Sequence, residues 1–296
     1  MDKRKVLLII NPVAGNGKTI QQLPKIKNKI RNQKGMEIVI LVSKYEGHIT
    51  ELVKQYFSQG YREFLGVGGD GTLSEIINGI NYSVTDNIIV GIIPNGTGND
   101  FIRNFSKDYS MEAIIDRLIN RDTTKTDIGR VNDFYFINVC SLGIDGPIVK
   151  NTEKLKRYIP GMGAYLVSTI KHGISFKART AEVKIDNVVH RNDYLLIAVG
   201  NGKYIGGGMK ICPDAEVGDG KFQICLVDSV KRIRFLKKLP KIYTGKLKAL
   251  DEVNYMDGET IEIKVLGDEY YINADGNIIG DTPARISIIR NAINFI

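Results

Sequence analysis

Short apolar segments alternate with helical stretches over the first part of this 296-residue chain. The apolar segments cover residues 6–10, 37–42, 64–67 and 88–93. Between and after them, apolar side chains recur with the spacing of amphipathic helices, and Ser110 can cap the helix predicted at 113–118. The order strand, helix, strand predicts parallel pairing with right-handed crossovers. We therefore expect residues 1–126 to form an α/β domain with a doubly wound parallel sheet.

The pattern changes from residue 127 onward, where short strands are separated by Gly, Asp and Asn turns. The predicted strands cover residues 135–140, 181–185, 194–199, 222–227, 260–265 and 270–272. This texture is typical of antiparallel sheets, although helices are predicted near 164–174 and 230–243. Residues 127–296 are therefore expected to form a β-rich domain, a sandwich or a distorted barrel. The pattern does not assign a sheet to the last strand, 285–289, and a return to the first domain is one alternative.

Three glycine-rich loops follow predicted strands of the first domain. We call them the first loop (residues 11–18), the second loop (66–72) and the third loop (94–100). In open parallel sheets, ligands bind beyond the carboxyl ends of the strands. Glycine lets main-chain N–H groups approach an anion closely, and a helix that follows such a loop directs its positive end there. Together the loops predict a phosphate site, with a nucleotide as the favoured ligand.

Two familiar phosphate motifs are matched only in part. Residues 66–71 have the glycine spacing of the dinucleotide-binding fingerprint, but their strand is the third of the domain and not the first. Residues 17–19 resemble the end of a Walker A loop, but Pro12 stands where that motif requires glycine. Neither motif therefore decides the ligand.

Asp70 places a carboxylate inside the second loop. A negative charge there would repel a phosphate unless a metal ion or a proton-transfer role accounts for it. Mg²⁺ bridging the phosphates of a nucleotide is the interpretation we favour. The alternative is that Asp70 caps the helix that follows.

Charge and composition exclude several classes of protein. No segment approaches the eighteen or so apolar residues that a spanning helix needs, and the first residues lack a signal-peptide core, so a cytoplasmic location is expected. The three cysteines form no CxxC pair, which argues against a disulfide framework or a zinc site. The net charge of +8 permits an acidic partner, namely nucleic acid, an anionic membrane or a phosphorylated ligand.

The loop motifs carry a family resemblance that runs over nearly the whole chain. Residues 68–75 (Gly-Gly-Asp-Gly-Thr-Leu-Ser-Glu), residues 94–101 (Pro-Asn-Gly-Thr-Gly-Asn-Asp-Phe) and the opening Asn-Pro-x-x-Gly at 11–15 resemble the soluble bacterial diacylglycerol kinase and lipid kinase family. Residues 143–145 and 213–220 extend the resemblance. The family is related to sphingosine kinases and, more distantly, to NAD kinases and phosphofructokinases. The resemblance implies a nucleotide-binding domain, a C-terminal β-sandwich, an active site between them, ATP, Mg²⁺ and a lipid hydroxyl as acceptor.

Carried over by position, the resemblance assigns nucleotide contacts to the three loops and their surroundings. The implied ATP-binding residues are Asn11, Pro12, Gly15, Ser43, Gly68, Gly69, Asp70, Gly71, Thr72, Glu75, Asn95, Gly96, Thr97 and Asn99. Asp70 would organise the phosphate and metal region. A structural Mg²⁺ site is implied at Asp219, with Glu216 and Lys221 contributing through backbone carbonyls, and a plain turn is the alternative there.

One departure from the family pattern concerns catalysis. The family's late motif is Asp-Gly-Glu, whose Glu removes the acceptor proton, whereas this chain has Asp275-Gly276-Asn277. An amide cannot accept a proton at neutral pH, and losing a general base costs a factor of about 10²–10⁴. Phosphoryl transfer depends chiefly on positioning and charge stabilisation, so catalysis could continue slowly with Asp275 or a phosphate oxygen as proton acceptor.

Three functions therefore remain open. The leading hypothesis is an ATP- and Mg²⁺-dependent kinase that phosphorylates diacylglycerol or a similar lipid. The second is a catalytically weak or inactive regulator that binds nucleotide or lipid, which Asn277 motivates. The third is an NAD kinase-like enzyme, which shares the Gly-Gly-Asp-Gly core, although the motif at residues 95–101 argues against it.

A basic segment covers residues 231–248 and contains no acidic residue. Its apolar residues keep approximate helical spacing, which predicts a basic amphipathic helix in transient contact with an anionic membrane. The protein would then be peripheral at the inner membrane surface. The alternative is a solvated helix whose apolar side packs on the sandwich. Without an aromatic stacking platform, nucleic acid is not expected as a partner, whereas exposed edge strands would permit a homodimer.

Overall fold

The computed structural model describes residues 3–17, 19–30, 35–84, 87–155, 158–159, 162–231, 234, 241–242 and 244–296. The chain divides into two compact units, the first formed by residues 1–127 with 291–296 and the second by residues 128–290. The elements of the first unit are β1 (Arg4–Ile10), α1 (Thr19–Ile30), β2 (Met36–Val42), α2 (His48–Ser58), β3 (Glu63–Gly68), α3 (Asp70–Gly79), β4 (Ile89–Pro94) and α4 (Met111–Asn120). Short 3₁₀ turns occur at Ala14–Gly17 and Phe101–Asn104.

The second unit is rich in strands. Its elements are β5 (Thr124–Val131), through which the chain enters, then β6 (Phe134–Phe136), β7 (Val139–Gly143), α5 (Asp145–Leu155), α6 (Met162–Ser175), β8 (Arg179–Ile185), β9 (Val188–Gly200), β10 (Tyr204–Ile205), β11 (Met209–Lys210), β12 (Phe222–Asp228), β13 (Val253–Gly258), β14 (Thr260–Val265), β15 (Tyr271–Ala274), β16 (Asn277–Asp281) and β17 (Ala284–Phe295), through which it leaves. A 3₁₀ turn at Lys246–Ala249 precedes β13.

The sheet of the first unit is parallel, in the order β2-β1-β3-β4, which confirms the α/β prediction. The four predicted strands are observed with their ends shifted by one or two residues. The end of β17 lies beside β4 in parallel, pairing Asn294 with Ile89 and Phe295 with Val90. The strand that the sequence pattern could not assign thus contributes its last residues to this sheet.

Burial explains why β1 is central. Val6, Leu8 and Ile10 pack in one core with side chains of α1 and α4, while Leu7 and Ile9 point to the other face and are equally buried. A continuous apolar run is expected of a strand covered on both faces. On α4, the Ser110 side chain accepts the N–H of Ala113 at 3.3 Å, which confirms the predicted cap.

A buried ion network anchors the amino end of this sheet. Glu63, whose side chain is 5% exposed, accepts hydrogen bonds from Arg4 (2.6 and 2.9 Å) and from Arg121 (2.8 Å). Arg4 also donates to the carbonyls of Leu118 and Ile119 at the end of α4. Burial alone would raise the pKa of Glu63, but the two guanidinium groups hold it below its ordinary value.

Replacing Arg4 with methionine is expected to lower the free energy of unfolding at pH 7 by about 2–4 kcal/mol, because the buried Glu63 would keep only one cationic partner, the half-exposed Arg121. Since the folded-state pKa of Glu63 is lowered, the network stabilises fully above the unfolded-state pKa of about 4.3 and loses its effect as the pH falls through the folded-state value. The difference between parent and variant should therefore shrink toward about pH 3. Urea unfolding at both pH values measures it.

Lys29→Met is the matched control for Arg4→Met. It removes an ion pair whose acidic partner, Asp116, is 57% exposed, so a loss below about 0.5 kcal/mol is expected. Equal losses for the two variants would contradict the stabilising role of the buried network.

The second unit contains an antiparallel sheet system, which agrees with the β-sandwich expectation. The long strand β9 organises it, because it pairs with β8 over one half and with β7 and β12 over the other. Side chains of β7, β8, β9, β12, β14 and β15 form one buried core. Phe136 and Phe222 stack within it, with ring centroids 5.6 Å apart.

Some predictions for this unit were wrong. Residues 135–140 form two elements, β6 and β7, because the intervening amides of residues 137–139 turn toward the Asp275 carboxylate. Helix α5 and strands β5, β10, β11, β13 and β16 were not predicted. Helix α6 agrees with the helix expected near 164–174.

Much of the basic segment 231–248, with the helix predicted at 230–243, lies outside the described residues. Of the part that is described, Arg234 pairs with Glu252 at 2.5 Å and with Asp251, and Lys248 pairs with Asp214. These two cations therefore already have acidic partners within the chain. Among the helices that the structure describes, none combines the length and apolar character needed to cross a membrane.

Candidate active site

The three glycine loops lie at one edge of the parallel sheet of the first unit, because β1, β3 and β4 are adjacent and end there. The amide of Asn11 donates to the Val67 carbonyl at 3.0 Å, and the amide of Asn95 donates to the Gly68 carbonyl at 2.7 Å. The loops are therefore joined through main-chain hydrogen bonds, in strand order. Ser43 follows β2 at the same edge, where its amide donates to the Ile10 carbonyl at 2.9 Å.

Side chains connect the first loop to the other two. Nδ2 of Asn11 donates to Oγ1 of Thr72 at 3.0 Å, which links the first loop to the start of α3. Nδ2 of Asn95 donates to Oγ1 of Thr19 at 2.6 Å, and that hydroxyl donates to the carbonyl of Ala14 at 2.8 Å. Asn11, Asn95 and Thr72 are thus placed together as predicted, whereas Thr19 is a member of this network that the sequence reasoning missed.

Close backbone contact requires glycine at the junction of the second and third loops. A Cβ on Gly96 would lie 2.6 Å from the Cα of Gly69, and one on Gly69 would lie 3.0 Å from the Cα of Gly96. Gly15 has a positive φ of 59°, and a Cβ there would meet the Asn95 carbonyl at 2.6 Å. A Cβ on Gly68 would collide with the Thr72 side chain. These glycines let three loops occupy space that side chains would otherwise fill.

The start of α3 offers main-chain donors to a ligand. Its N-cap is Gly69, which has no side chain to cap the first-turn amides. A Cβ on Gly71 would meet no heavy atom of the described residues within 4 Å, so space is open beside it. First-turn amides without a capping side chain, a helix N-terminus and open space are the elements of an anion site.

The third loop is closed by its own Asn99. The Asn99 side chain accepts the N–H of Gly96 at 3.2 Å and donates to the Gly96 carbonyl at 2.9 Å, and its φ of 49° is in the left-handed region. Arg103 donates to the Gly98 carbonyl at 3.0 Å from the following turn. This bracing leaves Thr97 exposed at the tip of the loop.

Asp70 is turned toward the third loop. Its Oδ1 accepts the amide of Phe101 at 3.3 Å, and the amides of Asn99 and Asp100 also favour the ionised carboxylate. Burial is the larger effect, and it raises the pKa of Asp70 above its ordinary value. Asp70 is thus the first residue of α3, but its carboxylate binds main-chain amides of the third loop. The alternative from the sequence, in which Asp70 caps its own helix, does not describe these contacts.

A second carboxylate, Asp100, lies near Asp70 and was not singled out from the sequence. A Cβ on Gly98 would lie 2.9 Å from Oδ2 of Asp70 and 3.7 Å from Oδ2 of Asp100, so the two carboxylates flank Gly98. Asp100 is buried, and Arg103 lies 3.6 Å from its Oδ1. A carboxylate at the end of the glycine-rich third loop was the sequence feature that could have identified it.

Glu75 has a role that its position in the family motif does not reveal. Its carboxylate accepts the amide of Ile49 at 3.1 Å, and the amides of Gly47 and Thr50 also face it. Gly47 is the N-cap of α2 and has no capping side chain, so Glu75 supplies the missing acceptor. Burial raises the pKa of Glu75 in spite of these bonds. The geometry makes Glu75 the cap of α2, and the nucleotide contact that the resemblance implies for it stays a prediction.

The turn that carries Asp275 and Asn277 belongs to the second unit. Asp275 and Gly276 have φ of 48° and 86°, which is the geometry of a two-residue hairpin turn that favours Asp-Gly. The Asp275 carboxylate accepts the amides of Ile137 (2.7 Å), Asn138 (3.0 Å) and Val139 (3.0 Å). A carboxylate that holds three amides is poorly placed to remove a proton, so the geometry favours a structural role for Asp275.

Asn277 is the first residue of β16 and is partly buried. Its Nδ2 donates to the Ala274 carbonyl at 3.2 Å, across the turn. The side chain therefore lies against its own hairpin, at the position where the resemblance expects a glutamate.

A buried polar cluster behind this hairpin was also missed. Asp145, at the start of α5, accepts the Ser141 hydroxyl and the Asn273 amide, the latter at 2.9 Å. Burial raises the pKa of Asp145. Because Asn273 and Asp275 lie on the same chain segment, this cluster and the amides of residues 137–139 fix the base of the hairpin from two sides.

The predicted metal residues Glu216, Asp219 and Lys221 lie in the loop before β12. Asp219 accepts the Lys221 amide at 3.2 Å, and its own amide faces the Glu216 carbonyl at 3.5 Å. A cavity of about 410 Å³ is lined by this loop together with Asp214, Gln223 and Asp257. Lys221 pairs with Asp257 at 2.5 Å. These contacts are those of a turn, and the Mg²⁺ site that the resemblance implies there stays a prediction.

Over the described residues, no three His, Cys, Asp or Glu side chains are grouped as a metal site. A cation held by residues 216–221 would therefore have to rely on backbone carbonyls, as the resemblance implies for Glu216 and Lys221.

Both parts of the chain match known protein families. Residues 5–131 match the family described as diacylglycerol kinase catalytic domain, and residues 138–296 match the family described as YegS C-terminal NAD kinase beta sandwich-like domain. A diacylglycerol kinase of Staphylococcus haemolyticus is 29% identical over 97% of this chain and 86% of its own length. A YegS-like protein of Enterobacter sp. strain 638, named as a probable lipid kinase, is 28% identical over 97% of this chain and 94% of its own length.

Solved structures share the fold over the whole chain. A crystal structure of a candidate diacylglycerol kinase from Bacillus anthracis superposes with a TM-score of 0.83 and 26% identity, and it covers 100% of this chain and 98% of the other. The similarity therefore extends through both units.

Proposed function

The chain belongs to the YegS family of diacylglycerol and lipid kinases, and we propose that it transfers the γ-phosphoryl group of ATP, with Mg²⁺, to the hydroxyl of diacylglycerol or a similar lipid. One observation carries the nucleotide part of this proposal. Three glycine loops are joined to one another at the carboxyl edge of the parallel sheet, beside the uncapped N-terminus of α3. The acceptor is proposed from the similarity to the diacylglycerol kinase of S. haemolyticus.

In this proposal, main-chain amides of the loops bind the phosphates of ATP. The contact between Gly69 and Gly96 leaves no side chain between the second and third loops, so their backbones can approach an anion together. The Asn11–Thr72 and Asn95–Thr19 hydrogen bonds hold the loops before the ligand arrives. Catalysis of phosphoryl transfer depends chiefly on such fixed positions and on charge stabilisation.

Asp70 and Asp100 are the residues proposed to hold Mg²⁺ in the first unit. Both present carboxylate oxygens beside Gly98, and hard oxygen ligands suit this ion. When bound, Mg²⁺ would neutralise charge on the phosphates. Asp70 also binds the amides of residues 99–101, so the same side chain would fix the third loop.

Neither Asp275 nor Asn277 is suited to accept the proton of the acceptor hydroxyl. Asn277 has no basic group, and the Asp275 carboxylate is occupied by main-chain amides. We propose that a phosphate oxygen takes the proton, which is compatible with a loose transition state but gives slow turnover. Asn277 is also the observation that favours the second candidate function, a regulator that binds nucleotide or lipid without transferring phosphate.

Replacing Thr97 with alanine is expected to raise the KM for ATP by about 10-fold, because the exposed hydroxyl at the loop tip would lose a hydrogen bond to a charged phosphate. Thr97→Ser keeps the hydroxyl and is the matched control, for which little change is expected. Steady-state kinetics and calorimetric titration with a non-hydrolysable ATP analogue and Mg²⁺ measure both variants. Equal affinity of the alanine variant and the parent would exclude Thr97 from the nucleotide site.

Mass spectrometry of products over a panel of lipids, with ATP and Mg²⁺ at micromolar enzyme, tests the proposal. A phosphorylated lipid product is expected, with diacylglycerol among the acceptors. Nucleotide binding without any lipid product would support the regulator. Formation of NADP from NAD in the same assay would favour the NAD kinase-like hypothesis.

A further inference from the structure

Helix α6 has its polarity reversed with respect to an ordinary surface helix. Leu166, Val167 and Ile170 face outward and are 48%, 44% and 40% exposed. The buried side of the helix instead carries small and polar residues, including Ser168 and Thr169. Surface helices normally bury their apolar side, so the outward side of α6 is suited to an apolar environment.

Hydrogen bonds fix α6 in this orientation. The Ser168 hydroxyl donates to the Ile148 carbonyl of α5 at 2.8 Å and accepts the side-chain amide of Asn151 at 3.2 Å. Because these buried polar groups have partners, a rotation that hid Leu166 and Ile170 would break bonds in the interior. The fold therefore holds the apolar side of α6 at the protein surface.

Further apolar surface lies between α5 and α6. Tyr158 is 84% exposed in the connection between the two helices. Its ring has an apolar body and a polar hydroxyl, which is the character of side chains that occupy membrane interfaces. We call the set Tyr158, Leu166, Val167 and Ile170 the α6 face.

The segment of the chain that carries the α6 face is rich in basic residues. Residues 146–179 contain seven Lys or Arg residues and one Glu. Lys154, Lys171 and Lys177 are exposed, and Lys150 lies 4.4 Å from the centre of the Tyr271 ring. Apolar side chains within a cationic border complement an anionic lipid surface. Two copies of this face would bring like charges together, which disfavours a homodimer through it.

We propose that the α6 face inserts into the boundary between headgroups and acyl chains of an anionic bilayer, with the surrounding lysines on the lipid headgroups. The inference rests on the proposed function in one respect, namely that the proposed acceptor, diacylglycerol, is a lipid dissolved in such a bilayer. Binding to the bilayer itself requires neither ATP nor turnover. The α6 face shares no residue with the basic segment 231–248.

The test compares two sets of substitutions in sedimentation with vesicles. Leu166→Gln, Val167→Gln and Ile170→Gln together keep helix-forming residues but remove the apolar face. Val188→Thr with Val189→Thr is the matched control, since these residues of the β8–β9 hairpin are 58% and 60% exposed. The vesicles contain equal parts of phosphatidylcholine and phosphatidylglycerol. The affinity of the triple variant for them should fall by at least about 10-fold, whereas the control should bind as the parent does. Equal binding of all three proteins overturns the proposal.

A fluorescence measurement covers the case in which the triple variant does not fold. The chain contains no tryptophan, so Val167→Trp and Val188→Trp each introduce a single reporter. Brominated anionic lipids should quench Trp at position 167 and not at position 188. Absence of quenching at 167, or equal quenching at both positions, contradicts insertion through α6.

Two further arms separate this proposal from the others. The triple variant should phosphorylate a short-chain, water-dispersed diacylglycerol as the parent does, because the α6 face is not part of the proposed nucleotide site. If the parent has no kinase activity but binds vesicles through α6, the proposed function fails and this inference stands. Sedimentation velocity reports association of copies. A parent dimer that the triple substitution dissociates, with unchanged vesicle binding, would assign the face to a second copy and overturn the membrane proposal.

Discussion

Replacing Asp70 with asparagine is expected to lower kcat for lipid phosphorylation by about 100-fold or more. In the structure the carboxylate accepts the Phe101 amide at 3.3 Å, with the Asn99 and Asp100 amides close by. An asparagine would turn an NH₂ group toward some of these donors and would carry no charge for Mg²⁺. Both the position of the third loop and the proposed metal site would be disturbed. Activity as a function of Mg²⁺ concentration, at saturating ATP, measures the effect.

The matched control for Asp70→Asn is Asp186→Asn in the second unit. The Asp186 carboxylate also accepts main-chain amides, from Glu259 at 3.1 Å and Thr260 at 2.9 Å, but it holds a turn far along the chain from the glycine loops. A small loss of stability and unchanged kinetics are expected for it. If Asp70→Asn behaved in the same way, Asp70 would be a structural residue only and the proposed metal site would be wrong.

The sequence was sufficient to predict the parallel sheet and the meeting of the three loops. Both follow from local rules, because buried parallel strands are continuous apolar runs and their carboxyl ends share an edge. The contacts of Asn11 with Thr72 and of Gly69 with Gly96 then connect loops that the pattern had already placed side by side. Motif spacing is informative here because each motif follows its own strand directly.

The roles of individual carboxylates could not be predicted in the same way. Glu75 caps α2 through a contact between residues that are 26 positions apart in sequence. Asp275 holds the amides of residues 137–139, which lie 136–138 positions away from it along the chain. A motif shows that a carboxylate is present, but its partners depend on tertiary packing. For Asp70 the pattern correctly indicated an unusual environment, and only the fold identified the amides that create it.

The second unit was predicted less completely for a physical reason. Its strands pair over long sequence distances, as in Ile272 of β15 with Leu142 of β7. The break between β6 and β7 is caused by the Asp275 carboxylate, which no local propensity reveals. Likewise, the reversed polarity of α6 is visible only when the buried side of the helix is known. Helical periodicity alone located this helix but could not assign its outward face.

Replacing Asn277 with glutamate is expected to raise kcat by about 10²–10⁴-fold if the position faces the acceptor hydroxyl, because a carboxylate can accept the proton that an amide cannot. The substitution gives up the Asn277–Ala274 hydrogen bond of 3.2 Å, which is a small cost for a turn already held by Asp275. The gain should appear in kcat with a modest change in the KM for ATP, since the loops of the first unit are untouched.

Asn277→Gln separates a proton acceptor from a longer side chain. Glutamine has the length of glutamate without its basic oxygen, so no gain is expected for it. The activity of Asn277→Glu should also fall at acidic pH, as the introduced carboxylate becomes protonated, whereas the parent should lack this acidic limb. An increase in both variants would indicate a packing effect. No increase in either, from a parent that binds ATP but forms no product, would mean that this chain uses the kinase fold as a nucleotide- or lipid-binding regulator.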